Sequence, residues 1–214
     1  IVENVFLVSD ADGHFVDKTL VTNADPMFGL DDPILMGWGG IFADHDNDGQ
    51  LDLFVTLGDW WDVPNGPRPE MKLDLLRSDG TSFQSIGSEI GIEGSGSFRG
   101  VLASDFNTDG VLDFLVSSVF GRPLFFVSNG CTSNHWLEIE APDSSRVTIK
   151  SNSGTQVGWT TTNSGFGAIT PPVVHFGLAE ESTIDEIEVI LPGGSIWRTS
   201  EPLKGRRRVT IRPD

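Results

Sequence analysis

Apolar residues recur at alternate positions in short runs along this chain, with turn residues between the runs. In "LDLFVTL" Leu51, Leu53, Val55 and Leu57 share one strand face, while Phe54 keeps the other face apolar too. A strand apolar on both sides belongs inside a stack of sheets. "LDFLVSS" has the same character. "NVFLVSDADGHFVDKT" and "LDLLRSDGTSFQSI" read as strand, Asp/Gly turn, strand, with Phe15 and Phe83 just beyond the turns. A further strand, "PLFFVSNG", ends at Gly130. Helical periodicity is scarce, and Gly (25) and Pro (12) are abundant, so the pattern predicts an all-β protein rich in turns.

The runs also repeat. "GWGGIFA" leads into "DHDNDGQLD" at Asp44, and "FRGVLAS" leads into "DFNTDGVLD" at Asp105, 61 positions on. Gly39 and Gly100 fall at equivalent places. A period near 60 residues, holding about four strands, predicts partial β-propeller blades. After Gly130 the texture changes to "NHWLEIEAP", "SRVTIKSN", "TQVGWTTT", "VVHFGLA", "IDEIEVILP" and "GRRRVTIRP". The expected division is a propeller-like segment over 1–132 and a small β-sandwich or barrel-like module over 133–214, with the boundary near Cys131 to Ser133.

The two acidic loops need a cation, because carboxylates this close repel one another. Calcium takes six to eight oxygen ligands, and a D-x-D-x-D-G spacing turns positions 1, 3 and 5 toward one centre. The ligands predicted for the first loop are Asp44, Asp46, Asp48, the Gln50 carbonyl and Asp52. Those for the second are Asp105, Asn107, Asp109, the Val111 carbonyl and Asp113. An EF-hand would need glutamate at position 12, where Val55 and Val116 stand inside strand pattern. The ions would therefore sit at strand–loop–strand connections. Magnesium seldom uses an all-protein cage, and zinc needs clustered His or Cys. Four carboxylates against three predict tighter binding at the first loop.

Charge narrows the partners. With 31 acidic and 14 basic residues the net charge is −17, which argues against nucleic acid and anionic membranes. No apolar run suits membrane insertion. The single cysteine, Cys131, forms no internal disulfide. Ile1-Val2-Glu3 reads as strand sequence and not as a leader.

"DHDNDGQLDLFV" and "DFNTDGVLDFLV" resemble the FG-GAP/VCBS repeats of integrin-α-type β-propellers. "NHWLEIE" with "VVHFGLAEESTIDEIEVILPGGS" is similar to the ASPIC/UnbV module, and the pairing resembles the cartilage acidic protein family. The resemblance implies an exported or surface calcium-binding protein, extracellular or periplasmic, with interaction roles and no established catalysis. It places metal ligands at Asp44, Asp46, Asp48, Asp52, Asp105, Asn107, Asp109 and Asp113. A family propeller has about seven blades, and this chain holds roughly two. Its open faces would be covered by the second domain, by other copies, or by the remainder of a longer propeller.

Other residues carry weaker signals. Trp60 and Trp61 in "GDWWDVPNGPRP" are candidates for stacking on a glycan or anchoring a protein partner, against simple packing. Asp59 and Asp62 beside them would be the carboxylate pair of a polysaccharide hydrolase; a structural spacer is the third alternative. His135 and His175 lie in strand pattern and read as packed histidines. "GRRRVTIRP" would place arginines against the acidic first domain. The expected role is a non-catalytic calcium-binding module presenting a rigid face to protein or glycan.

Overall fold

The structure is a computed structural model and describes residues 4–25, 35–59, 73–94, 96–119, 121–130, 132–199 and 201–212. It is all-β, built of several sheets, and among the described residues no sheet closes into a barrel. Trp60, Trp61, Asp62 and Cys131 lie outside the described residues.

The first turn is set by Asp10, whose carboxylate accepts the amides of Asp12 and His14 at 3.0 and 2.8 Å. It joins β1 (Leu7–Ser9) to β2 (Phe15–Asp17), which pair antiparallel. One helical turn, α1 (Thr19–Thr22), follows and ends at Asn23 in the left-handed region.

Two larger sheets carry the acidic loops. β3 (Leu35–Ala43) and β4 (Asp52–Asp59) pair with Ala43 opposite Asp52, so the first loop is their connection. β5 (Leu73–Ser78) and β6 (Phe83–Ser85) complete the sheet β3-β4-β5-β6. β7 (Phe98–Ser104) and β8 (Asp113–Ser118) pair with Ser104 opposite Asp113 around the second loop, and β9 (Leu124–Phe126) extends them. The doubly apolar pattern of β4 has its cause here. Phe54 is fully buried in a cluster with Phe98, Val101, Phe114 and Val116 of the next sheet, while Leu53 and Val55 pack with Leu76. The rings of Phe54 and Phe114 lie 4.8 Å apart. Each such ring contributes about 2–3 kcal/mol by leaving water.

The repeat extends to irregularities. The β3–β4 register slips between Gly37 and Gly39, and the β7–β8 register slips between Phe98 and Val101. The Arg99 guanidinium of the second slip lies 4.0 Å from the Trp38 ring of the first. Gly39 must be glycine, because a Cβ there would overlap the Arg99 carbonyl. The Gly39 amide donates to Thr56 Oγ1 at 2.8 Å, and the Gly100 amide donates to Ser117 Oγ at 2.8 Å.

The C-terminal part contains β10 (His135–Glu140), β11 (Arg146–Ser151), β12 (Gly154–Trp159), β13 (Asn163–Gly165), β14 (Ala168–Ile169), β15 (Val173–Ala179), β16 (Thr183–Ile184), β17 (Glu186–Ile190), β18 (Ile196–Thr199), β19 (Leu203–Lys204) and β20 (Arg207–Thr210). The sheets β15-β10-β20 and β12-β11-β17-β18 enclose one core that includes Leu137, Ile139, Val147, Ile149, Phe176, Ile187 and Val189. β10 and β20 run parallel. Of the "GRRR" arginines, Arg208 pairs with Glu138 at 2.7 Å and also feels the charge of Asp105 in the second acidic loop, while Arg206 donates to the Ser133 carbonyl at 2.6 Å. The turn between β13 and β14 brings Phe166 within 5.5 Å of the Trp38 ring, which ties the two halves together.

Candidate metal centre

The two acidic loops adopt one conformation. Asn47 and Thr108, at position 4, have φ of 61°, and Gly49 and Gly110, at position 6, have φ of 87° and 86°. Those left-handed turns fold each loop back on its first aspartate. Asp44 accepts the amides of Asp48 (3.0 Å) and Gly49 (2.8 Å), and Asp105 accepts those of Asp109 (3.1 Å) and Gly110 (2.9 Å). The Gln50 amide donates to Asp48 and the Val111 amide to Asp109, at 2.8 and 2.9 Å.

Position 9 closes each loop. Asp52 accepts the His45 amide at 3.0 Å and the Ser78 amide at 2.8 Å. Asp113 accepts the Phe106 amide at 2.9 Å and the Ser128 amide at 2.7 Å. Each fully buried carboxylate thus stitches its loop to the chain at the end of β5 or just past β9.

The structure brings Asp44, Asp46 and Asp48 together, with one oxygen from each inside a group spanning no more than 4.8 Å. Two oxygens on one calcium at about 2.4 Å from the ion lie at most about 4.8 Å apart, so this group fits the ion. Asp52 falls in a second group with Asp46 and His45. In the other loop Asn107 Nδ2 donates to Asp109 Oδ2 at 2.8 Å, which holds positions 3 and 5 together. The donors are oxygens, the chemistry calcium prefers.

Burial dominates the electrostatics of the first loop. Burial pushes Asp44 up to about 7, and the charges of Asp48, Asp52 and Asp46 add to it against the pull of the Gly49 amide. Burial likewise raises Asp46, and it raises Asp105 against the Gly110 amide. A cation reverses this logic by favouring the ionised forms. Sequence reading missed two neighbours of the first loop. Arg77 lies 2.8 Å from Asp46 and 3.3 Å from Asp48. His45 Nδ1 lies 2.6 Å from Asp52; burial would lower this histidine, and Asp52 more than offsets that. Arg77 cancels one of the four negative charges, so charge alone no longer favours the first loop. Its partner at the same place in the second sheet is Val127.

Both loops lie against one sheet of the C-terminal part. Asn47 is fully buried; its Nδ2 donates to the Gly110 carbonyl at 2.8 Å, and its Oδ1 meets His175 Nε2 at 2.6 Å. The Ala179 amide donates to the Asn47 carbonyl at 2.8 Å. Thr132 Oγ1 and Asn134 Nδ2 donate to the Asp46 carbonyl at 3.0 and 2.9 Å. A Cβ on Gly177 would overlap Asp44, and one on Gly110 would overlap the Trp136 indole. His175 is therefore a packed, hydrogen-bonded histidine stacked on Trp136. The available signal for Asn47 was its residue type, since asparagine tolerates left-handed turns; nothing local named its partners.

Among the described residues no helix is long and apolar enough to cross a membrane. No curated protein matches the chain. One solved structure that it resembles is described as "Ca2+-stabilized adhesin helps an Antarctic bacterium reach out and bind ice". The two are 12% identical over 98% of this chain and 56% of that one, with a TM-score of 0.19. This chain thus spans about half the length of that one, and at that score no common fold is demonstrated. Residues 144–214, about a third of the chain, match the family described as "ASPIC and UnbV", so the C-terminal part is similar to an ASPIC/UnbV domain.

Proposed function

We propose that this protein is a non-catalytic, calcium-stabilised interaction module whose two acidic loops each hold one calcium ion, in the manner of FG-GAP/VCBS repeats on a partial propeller. The observation that carries this reading is the matching set of amide-to-aspartate bonds in the two loops, with the oxygens of Asp44, Asp46 and Asp48 within 4.8 Å. The ligands are Asp44, Asp46, Asp48 and Asp52 in one loop and Asp105, Asn107, Asp109 and Asp113 in the other, completed by the Gln50 and Val111 carbonyls. Calcium would lift the carboxylate repulsion and hold the loops against the C-terminal sheet. Such a role suits an extracellular, cell-surface or periplasmic setting, where weak calcium sites are filled.

A partner would meet the cleft between the first loop and the C-terminal part. Its volume is about 590 Å³, and Phe42, Leu51 and Trp159 line it. Trp159 is 57% exposed, which suits stacking on a sugar or an apolar side chain of a protein. Titration calorimetry of the chelator-stripped chain tests the metal reading. Two sites are expected with calcium, and Asp105→Ala should remove one. A flat calcium titration would reject the reading.

A further inference from the structure

A serine at the end of β5, and another two residues past β9, each gives its amide to a position-9 aspartate: Ser78 to Asp52 at 2.8 Å and Ser128 to Asp113 at 2.7 Å. The hairpin β1–β2 repeats this arrangement up to that point. Leu7-Val8-Ser9-Asp10 corresponds to Leu76-Arg77-Ser78-Asp79, and Ser9 opposes Phe15 as Ser78 opposes Phe83. Asp10 and Asp79 both accept amides from their own turns. Ser9 is the third serine of the set, and among the described residues no strand pairs with β1 on the side that β4 occupies beside β5.

Among the described residues that side is an open edge. The Lys18 amide donates to the Phe6 carbonyl and the Asp10 amide to the His14 carbonyl, so Phe6, Val8 and Asp10 turn their backbone groups toward β2. In an antiparallel strand the intervening residues turn theirs the other way, so Leu7 and Ser9 present N–H and C=O groups outward. The side chains agree. Leu7 is 51% exposed where its counterpart Leu76 is 2% exposed, and Phe15 is 70% exposed where Phe83 packs on Leu53, Val55 and Leu76. Next to this edge lies a cavity of about 200 Å³ between Val5 and Phe6 on one side and Gly37, Leu53 and Val55 on the other.

We infer that the β1 edge is a docking site for one further strand–loop–strand unit of the kind formed by residues 35–59 and 98–118. Its second strand would pair with β1, its position-9 aspartate would take the Ser9 amide, and its apolar side chains would enter the cavity. The chain shows this interface twice, at β4–β5 and β8–β9, with the partner in place. The inference goes beyond the calcium reading, since an amide–carboxylate bond and strand pairing need no ion.

The test places residues 98–123 of this chain directly before Val5, which recreates the β8-to-β9 connection, and follows the Ser9 amide by hydrogen exchange in calcium and in chelator. In the extended chain Ser9 exchange should slow by at least ~10-fold relative to the natural chain, as for a residue moved into a closed ladder. Replacing the added position-9 aspartate by alanine, or Leu7→Asp at the exposed edge, should restore fast exchange. Unchanged Ser9 exchange in the extended chain overturns the inference. So does self-association of the natural chain that Leu7→Asp abolishes, because the edge would then belong to a second copy. Loss of calcium binding with slowed Ser9 exchange would reject the calcium reading alone.

Discussion

Asn47 and His175, 128 positions apart, share a hydrogen bond of 2.6 Å between Oδ1 and Nε2. Its polarity follows from the far side of the amide. Nδ2 donates to the Gly110 carbonyl, so Oδ1 accepts and His175 Nε2 donates. One side chain thereby joins both acidic loops to the C-terminal sheet. Thr108, the equivalent residue, is exposed, and among the described residues its hydroxyl bonds only to the Asn107 carbonyl.

Asn47→Ala should therefore cost about 2–4 kcal/mol, since it leaves the Gly110 carbonyl and the His175 ring unpaired in a buried place. Thr108→Ala should cost under about 0.5 kcal/mol. Urea unfolding of the two variants checks the contrast, and equal losses would contradict it.

Calcium should raise the melting temperature, with about 2.7 kcal/mol gained at a free concentration near 100 Kd. EDTA should remove the gain. Asp44→Ala and Asp105→Ala should each remove part of it, and Gln50→Ala should not, because position 7 would offer only its carbonyl. Thermal scans that superimpose with and without calcium would count against both loops as metal sites.

Gly177→Ala adds a methyl group where Asp44 and the Asn47 backbone already lie. The variant should lose about 2 kcal/mol or more through overpacking, and its calcium response should weaken because Asp44 must shift. Gly40→Ala, whose added carbon meets nothing closer than 3.8 Å, is the control for packing. Retention of full calcium response in Gly177→Ala would show that Asp44 is not held by the C-terminal sheet.

Acid should weaken the link between β10 and β20. Burial pushes Glu138 up, but His175 and Arg208 outweigh it, so the folded carboxyl sits below its ordinary value. Arg208 donates to it at 2.7 Å. A depressed folded value contributes stability above the unfolded pKa, about 4.3, and loses it as pH falls through the folded one. Glu138→Gln should cost roughly 1–2 kcal/mol at neutral pH and flatten the decline below about pH 4. Chemical unfolding from pH 7 to 3 would show it, and parallel curves for the two proteins would refute it.

Local chemistry was legible in the residues themselves. Alternating apolar runs foretold strands, and Asp/Gly pairs foretold the turns at Asp10 and Asp79, because side-chain period and turn conformation depend on neighbours along the chain. The 61-residue repeat even extends to Gly39 and Gly100, whose missing side chains admit the next layer. Repetition of the nine-residue pattern also foretold that both loops would fold alike, since identical donors and left-handed turns recur at identical spacing.

Only the tertiary structure decided what surrounds those loops. Arg77 against Asp46, Ser78 on Asp52 and His175 on Asn47 all come from segments distant in sequence, and no local period encodes which segment arrives. The same holds for the edge of β1. The residues of that hairpin specify a strand ready to pair, but whether its edge is filled depends on what packs beside it. Backbone preference acts over a few residues, whereas burial, ion pairing and edge pairing are settled when remote surfaces meet.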